Sequence, residues 1–171
     1  MRMLRMDHTH LDQVAPLPLP AGYTLRPYEH EDWDACIDLM LRCPDPAYTA
    51  GPWDRGLCER SMLFAADPGG TYGEGRGQLV SCGGELVAIA LCSASGYLNQ
   101  VYTLPAHRRR GLASAAVTRV LAVLAAQGLK RCFLMVFEEN EGAQRCYEHL
   151  GFARSMPPLN IGAESSTEAG S

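Results

Sequence analysis

The chain has 171 residues, of which 47% are hydrophobic and 20% are charged, and its formal net charge at pH 7 is −4. This size and composition are typical of one soluble globular domain that buries its own core. The sequence pI of about 5.7 excludes a general nucleic-acid binder, because such domains are strongly basic. The longest apolar run, over residues 112–126, contains Ser114, Thr118 and Arg119 and is therefore excluded as a membrane span.

Cysteine usage indicates a reducing compartment. The seven cysteines are odd in number and scattered, and no CxxC pair or Cys/His cluster has the spacing of a zinc site. We therefore expect reduced, mostly buried thiols and no metal. Residues 1–10 carry charge but no apolar core of a secretion signal, so the expected location is cytoplasmic.

The N-terminal part of the chain is predicted to contain a leader, a strand and two helices. Residues 1–22 include the segment VAPLPLPAG, whose prolines favour an extended leader over a packed element. Residues 23–28 alternate apolar and polar side chains and predict a strand, whereas 31–41 place their apolar residues on one helical face. Prolines and a glycine predict a loop over 43–54, and a shorter helix follows over about 54–65.

The middle of the chain predicts a three-stranded antiparallel meander. Residues 67–77 are rich in glycine but lack a phosphate-binding pattern, so we interpret them as a flexible connection. The apolar segments 78–82 and 85–92 flank a Gly-Gly pair, which is a hairpin signal. A third strand over 97–104 ends at a proline.

The last third predicts a helix, a strand and a second helix. Apolar residues from Ala113 to Leu124 follow a helical period, and the run CFLMVF (132–137) is typical of a strand covered on both faces. Asn140 can cap the next helix, with Gly151 as its stop. Together these elements predict one α/β domain with a mixed β-sheet flanked by helices over 23–162, followed by a disordered tail over 163–171.

Three consecutive arginines lie directly before the helix that opens at Gly111. The first N–H groups of a helix have no internal partner, and the helix dipole makes that end positive. Gly111 and Ala113 let an anion approach the backbone, and Arg108 to Arg110 add full charges. These features predict a diphosphate site, although three arginines alone also fit a solvated turn.

Two motifs carry a family resemblance. The segment PAHRRRGLA (105–113) resembles the R-x-x-G-x-[GA] coenzyme A loop of the GNAT acyltransferases, and NEGAQRCYEHLGF (140–152) resembles their second signature, N-x-x-A-x-x-x-Y-x-x-x-G-F. They occur in the family's order, separated by one helix and one strand. The chain is thus identified as a member of the GNAT superfamily of acetyl-CoA-dependent N-acetyltransferases, on motifs within about 95–152.

The resemblance implies a fold and a set of binding residues. In this family the strand before the coenzyme A loop diverges from the next strand of the sheet, and acyl-CoA lies in the gap between them. In this chain the two strands correspond to 97–104 and 132–137. The backbone of Val101, Tyr102 and Thr103 would pair with the pantetheine arm, and one of their N–H groups would hold the thioester oxygen. Asn140 would bond the same arm. The pyrophosphate would bind the loop residues Arg108, Arg109, Arg110, Gly111, Leu112, Ala113 and Ser114.

Tyr147 is the candidate catalytic residue. An amine attacks the thioester carbon, and coenzyme A leaves as a thiolate. A phenol with an ordinary pKa of about 10 stays protonated at neutral pH and can give the sulfur a proton. The alternative is that Tyr147 only packs on the apolar face of its helix.

The chain departs from the family pattern in two places. Many relatives use a glutamate to deprotonate the amine, but Met135 occupies one expected position, and no Asp or Glu occurs from residue 86 through 137. Water, a neutral substrate, Glu138, Asp32 and Asp34 remain as alternatives. The C-terminal strands are also interrupted by two prolines, which leaves the acceptor pocket open on that side or completed by the partner subunit of a homodimer.

Two functions follow from this pattern. The first is an N-acetyltransferase that acts on a primary amine of a small molecule or peptide, with acetyl-CoA as co-substrate and without nucleic acid or membrane partners. The second is a noncatalytic acyl-CoA-binding sensor or scaffold module. Trp33, Tyr48 and Trp53 are candidate walls of the acceptor pocket, or else core residues.

Overall fold

A computed structural model describes residues 2–73 and 75–160, with side chains described up to residue 155. These residues form one α/β domain with two antiparallel sheets and four α-helices, which confirms the predicted fold class. None of the described helices is long and apolar enough to cross a membrane. The elements, in chain order, are β1 (Arg2–His8), β2 (Tyr23–Pro27), α1 (Trp33–Leu41), α2 (Arg55–Ala65), β3 (Gln78–Cys82), β4 (Glu85–Cys92), β5 (Leu98–Thr103), α3 (Leu112–Ala126), β6 (Cys132–Phe137), α4 (Glu141–His149) and β7 (Ala153–Asn160).

The first sheet contains the predicted meander. Its strand order is β2-β3-β4-β5, and all neighbouring pairs are antiparallel. Gly83 and Gly84 connect β3 to β4 with φ values of 57° and 83°, the left-handed conformation that a two-residue hairpin turn needs. Helix α3 packs against this sheet and buries the apolar residues that the helical period indicated, among them Ala116, Val120 and Leu124.

The second sheet corrects the prediction for the N-terminus. Residues 2–8 are not part of an extended leader, because they form β1, the central strand of a sheet with order β6-β1-β7. Leu4 and Met6 of β1 are fully buried. The proline-containing segment after β1 packs on the domain as well: Leu11 is buried, and the Leu17 N–H donates to the Thr118 hydroxyl of α3 (2.9 Å).

Strand β7 settles how the C-terminal part of the sheet is built. It spans Ala153–Asn160 and tolerates its two prolines at an edge, because it pairs with β1 alone. Strand β1 fills the central position, so the three strands of this sheet all come from the one chain. The predicted tail over 163–171 lies outside the described residues.

The splayed pair of strands implied by the resemblance is present. Strands β5 and β6 meet through one isolated parallel bridge between Tyr97 and Phe133, whose rings stack at 4.9 Å. Gly96 permits this approach, since a Cβ at that position would lie 2.6 Å from the Arg131 carbonyl oxygen. Beyond the bridge no ladder between β5 and β6 is seen in the described residues, so the two strands leave a cleft between them.

The end of the second signature packs against β1. Gly151 has a φ of 100°, and a Cβ there would lie 2.6 Å from Nε2 of His8, so only glycine fits. Phe152 is buried and packs edge-on against both His8 (5.3 Å between ring centroids) and Tyr147 (5.7 Å). The N-terminal strand therefore supports the helix that carries Tyr147.

His8 should make the stability of the protein sensitive to mild acid. Burial, with a smaller contribution from the charge of His10, lowers the pKa of His8 below its ordinary value. The unfolded chain takes up a proton at this histidine below about pH 6.5, whereas the folded chain does so only at lower pH. The free energy of unfolding should therefore fall as the pH drops from 7 towards 5.

Denaturant unfolding at several pH values measures this effect. We expect His8→Phe, which keeps a ring against Phe152, to flatten the pH dependence between 7 and 5. Parallel pH profiles for wild type and His8→Phe would contradict the assignment.

Candidate active site

Two cavities open along the splayed strands. The strand cavity (about 270 Å³) lies between β5 and β6 and is bordered by α2 and α4, and the loop cavity (about 560 Å³) lies between the arginine loop and the 43–46 segment. The two form one continuous cleft, because both are lined by Asp45, Val101, Tyr102, Asn140 and Ala143.

The loop cavity has the local geometry of an anion site. Arg109 and Gly111 have φ values of 63° and 74°, and left-handed residues of this kind help form backbone concavities that bind anions. Gly111 is the N-cap of α3, and no side chain of the described residues caps this helix. The first N–H groups of α3 are therefore open to a ligand, and the positive end of a 15-residue helix faces the cavity.

The structure brings together all but one of the residues predicted to bind coenzyme A. The exception is Arg110, whose guanidinium donates to the Tyr23 hydroxyl (3.0 Å), which in turn bonds Nδ1 of His107 (2.8 Å). Arg108 lines the loop cavity while its Nε donates to the Thr103 carbonyl (3.0 Å), a bond that ties the loop to the end of β5. The predicted residues that line this cavity are Val101, Tyr102, Thr103, Arg108, Arg109, Gly111, Leu112, Ala113, Ser114 and Asn140.

A bulge in β5 faces the strand cavity. The pairing of β4 with β5 runs from Ile89–Tyr102 directly to Leu91–Asn99, so one extra residue is accommodated in β5. Gln100 has a φ of 48°, a left-handed value that glutamine rarely adopts. Its side-chain amide donates a hydrogen bond to the Ser61 hydroxyl (2.9 Å). Bulges interrupt the hydrogen-bond ladder, which makes backbone groups of β5 available to a ligand. The sequence carries no signal for this feature.

Helix α4 presents Tyr147 to the strand cavity. Asn140 caps the helix by accepting a hydrogen bond from the Ala143 N–H (3.1 Å), which leaves its side-chain NH₂ group free to donate. Tyr147 lies two turns further on, is half-buried and lines the cavity. Burial raises the pKa of its phenol, so the hydroxyl stays protonated at neutral pH.

Aromatic side chains form the acceptor side of the strand cavity. Tyr48 packs on Trp53 (5.7 Å between ring centroids), and Trp53 packs on Tyr102 (6.1 Å). The Trp53 indole is oriented by a hydrogen bond to the Met40 carbonyl (2.9 Å). Trp33 is not part of this wall, because it lies outside both cavities and packs against buried Tyr72.

The carboxylates suggested by the sequence do not reach the cleft. Asp32 is paired with Arg26 (2.6 Å), Glu138 is paired with Arg2 (3.3 Å), and neither they nor Asp34 line either cavity.

Sequence reasoning missed Asp45. Among the described residues it is the one carboxylate that lines the cleft, and it lies where the two cavities meet. The signal that could have found it is its place in the loop 43–54, which also carries the candidate wall residues Tyr48 and Trp53. Burial, together with the charge of Asp45, raises the pKa of the Tyr102 phenol.

Comparisons with known proteins agree with this geometry. The acetyltransferase (GNAT) family model matches residues 33–152. A mycothiol acetyltransferase of Streptomyces scabiei is 31% identical over 96% of the chain and 54% of its own length. The chain therefore spans about half the length of this curated relative.

Solved structures share the fold. A GCN5-related N-acetyltransferase from Sphaerobacter thermophilus superposes with a TM-score of 0.67 at 22% identity, over 90% of this chain and 48% of the other. An aminoglycoside N-acetyltransferase, AAC(6′)-Iy, solved in complex with CoA, superposes with a TM-score of 0.59 at 17% identity, over 85% of this chain and 97% of the other. The chain belongs to the GNAT acetyltransferase family.

Proposed function

We propose that this protein transfers the acetyl group of acetyl-CoA to a primary amine of a small molecule or peptide, by direct attack of the amine on the thioester. The observation that carries the proposal is the single cleft that joins a positively charged loop to an aromatic cavity with a phenol in its wall. A bound thioester would lie with its anionic end at the loop and its acetyl end beside Tyr147.

The chain's own groups suit each part of acetyl-CoA. The α3 N-terminus, Arg108 and Arg109 would bind the diphosphate, since backbone N–H groups and guanidinium groups are its usual partners. The β5 backbone from Val101 to Thr103 would pair with the pantetheine amides, and the Asn140 side chain would donate to the same arm. The bulge at Gln100 supports a neighbouring N–H as the donor to the thioester oxygen.

The chemistry requires one nucleophile and one proton donor. The neutral amine forms a bond to the carbonyl carbon, the C–S bond of the tetrahedral intermediate breaks, and the amine proton is lost to solvent. The departing thiolate takes a proton from the Tyr147 hydroxyl, which solvent then restores. The raised pKa of Tyr147 supports this role because it keeps the donor proton in place before attack.

The relatives bear on the acceptor, and the cysteines bear on the location. The name of one neighbour refers to aminoglycosides, and another neighbour is in complex with a bisubstrate analogue that contains a peptide, which supports a small-molecule or peptide amine as acceptor. The cysteines of the described chain are free thiols, which supports a reducing compartment and hence the cytoplasm.

An amine panel tests the proposed function. Thiol release from acetyl-CoA is measured with small primary amines, amino sugars, polyamines and peptides with free N-termini, and mass spectrometry identifies the acetylated product. We expect at least one primary amine to be N-acetylated. Tight acetyl-CoA binding without turnover on any acceptor would instead support the noncatalytic sensor or scaffold.

Gly111→Val should weaken acetyl-CoA binding by at least about tenfold, the loss expected from one charge-assisted hydrogen bond. Its side chain would project beside the first N–H groups of α3 into open space, since no distant part of the described chain lies within 4 Å of a Cβ at this position. The substitution also strains a backbone with positive φ, so it needs a matched control.

Gly128→Val supplies that control. Gly128 ends the same helix with a φ of 85° and equally open surroundings, so it carries similar backbone strain far from the loop cavity. Calorimetric titration should show near-wild-type acetyl-CoA affinity for Gly128→Val. Unchanged affinity in a folded Gly111→Val protein would rule out the diphosphate site.

A further inference from the structure

The charge distribution in the cleft is uneven. The loop cavity is lined by Arg108 and Arg109, whereas the junction with the strand cavity carries the carboxylate of Asp45. No described cation forms an ion pair with Asp45, in contrast to Asp32 and Glu138, which are both paired. Among the described residues, a carboxylate without an ion-pair partner therefore lines the junction of the two cavities.

The loop holds this carboxylate in a defined position. Oδ1 of Asp45 accepts a hydrogen bond from the Ala47 N–H (2.9 Å), and the Tyr48 N–H donates to the Asp45 carbonyl (3.0 Å). This local turn is typical of aspartate followed by proline and fixes the start of the aromatic wall. One oxygen of Asp45 thus orients the loop, while the other is available to a ligand.

The surrounding rings complete a site for a cation. Tyr48, Trp53 and Tyr102 form a continuous run of ring contacts beside Asp45 in the cleft, and the faces of such rings attract cations. A carboxylate next to aromatic walls favours a compact alkyl ammonium group over an alcohol or an acid of the same shape. The strand cavity, at about 270 Å³, suits the amine-bearing end of the acceptor.

We infer that Asp45 binds the acceptor of this enzyme. Its carboxylate, at the junction of the two cavities, would pair with the ammonium group of a primary amine and so select amines in their cationic form. The inference rests on the proposed function for the choice of an amine as ligand. Before attack the bound ammonium gives one proton to solvent, because only the neutral amine has a lone pair. The carboxylate then accepts a hydrogen bond from the attacking amine and stabilises the positive charge that grows on nitrogen as the N–C bond forms. The excess proton then passes to solvent.

The test uses amines paired with uncharged analogues. Protein saturated with CoA is titrated calorimetrically with primary amines and with the alcohols of the same carbon skeleton, for example 2-phenylethylamine with 2-phenylethanol and n-butylamine with n-butanol. Wild type should bind at least one amine about tenfold or more tightly than its alcohol, the difference expected from a hydrogen bond to a charged group. Asp45→Asn should abolish that preference.

The variants are chosen to isolate the charge. Asn keeps an Oδ1 acceptor for the Ala47 N–H, so the loop is retained and only the negative charge is lost. Asp34→Asn makes the same chemical change outside the cleft and should retain the amine preference and acetyl-CoA affinity of wild type. Equal binding of amines and alcohols by wild type, or an amine preference retained in Asp45→Asn, would overturn the inference.

Thiol release measured on the same three proteins separates this inference from the proposed function. If amines bind through Asp45 but no thiol is released, the proposed function fails and the binding site stands. If thiol is released and Asp45→Asn keeps both the amine preference and the wild-type kcat/KM for the amine, the proposed function stands and Asp45 has no role in acceptor binding.

Discussion

A Tyr147→Phe variant should lose about 10²–10⁴-fold in kcat, the usual contribution of general-acid catalysis. The substitution removes one hydroxyl from a ring that still packs on Phe152 at 5.7 Å between centroids, so the fold should be retained. Acetyl-CoA affinity should change little, because the diphosphate and pantetheine contacts lie elsewhere in the cleft. The loss belongs in kcat since the hydroxyl acts mainly as negative charge grows on sulfur.

Tyr97→Phe is the matched control for this variant. Tyr97 lines the same cavity, and burial raises the pKa of its phenol as it does for Tyr147. Its ring is held by stacking on Phe133, so the control removes a hydroxyl without moving the cleft. A wild-type kcat in Tyr147→Phe would show that Tyr147 is a packing residue, and an equal loss in Tyr97→Phe would show that the loss is not specific to the Tyr147 hydroxyl.

The elements that local patterns encode were predictable from the sequence. Helix α3 follows an apolar period and ends two residues before Gly128, and α4 begins after an asparagine that caps it. The two signature motifs are separate in sequence, yet residues of both line one cleft. This is because the connections from β5 to α3 and from β6 to α4 both begin where β5 and β6 diverge. Periodicity and caps are local properties, which is why these parts could be predicted.

The missed features depend on contacts between distant parts of the chain. Strand β1 pairs with β6 more than 120 residues later, and no local pattern shows that these two segments meet. Gln100 adopts a left-handed conformation because the β5 bulge and the Ser61 contact impose it, not because glutamine prefers it. Asp45 reaches the cleft because its loop lies beside β5, where Trp53 of that loop contacts Tyr102.

Strand β1 also contributes to the site itself. Met3 lines the strand cavity, and the partner positions of β1 on β6 run from Phe137 to Cys132, so β1 supports the floor of the cleft. The segment first interpreted as a leader is therefore needed for both the sheet and the proposed acceptor pocket.

Removal of the diphosphate from the donor should weaken binding by at least about 10²-fold, because acetyl-pantetheine forgoes two or more charge-assisted hydrogen bonds of about 1.5–3 kcal/mol each. The partners lost are the exposed Arg108 and Arg109 and the uncapped N–H groups of α3. Since the arginines are exposed to solvent, acetyl-CoA affinity should also fall as salt rises from 0.1 M to 1 M, where the Debye length shrinks from about 10 Å to about 3 Å.

Two further thioesters identify which part of the donor matters. Acetyl-dephospho-CoA keeps the diphosphate and should bind nearly as well as acetyl-CoA, whereas acetyl-4′-phosphopantetheine keeps one phosphate and no adenosine and should bind more tightly than acetyl-pantetheine. Both are measured by calorimetry at two salt concentrations. Acetyl-pantetheine binding as tightly as acetyl-CoA, with no dependence on salt, would mean that Arg108 to Arg110 form only a solvated turn. If affinity instead falls step by step as phosphates are removed, and if added salt weakens the thioesters with more phosphate most, the positive charge of the loop serves to bind the diphosphate.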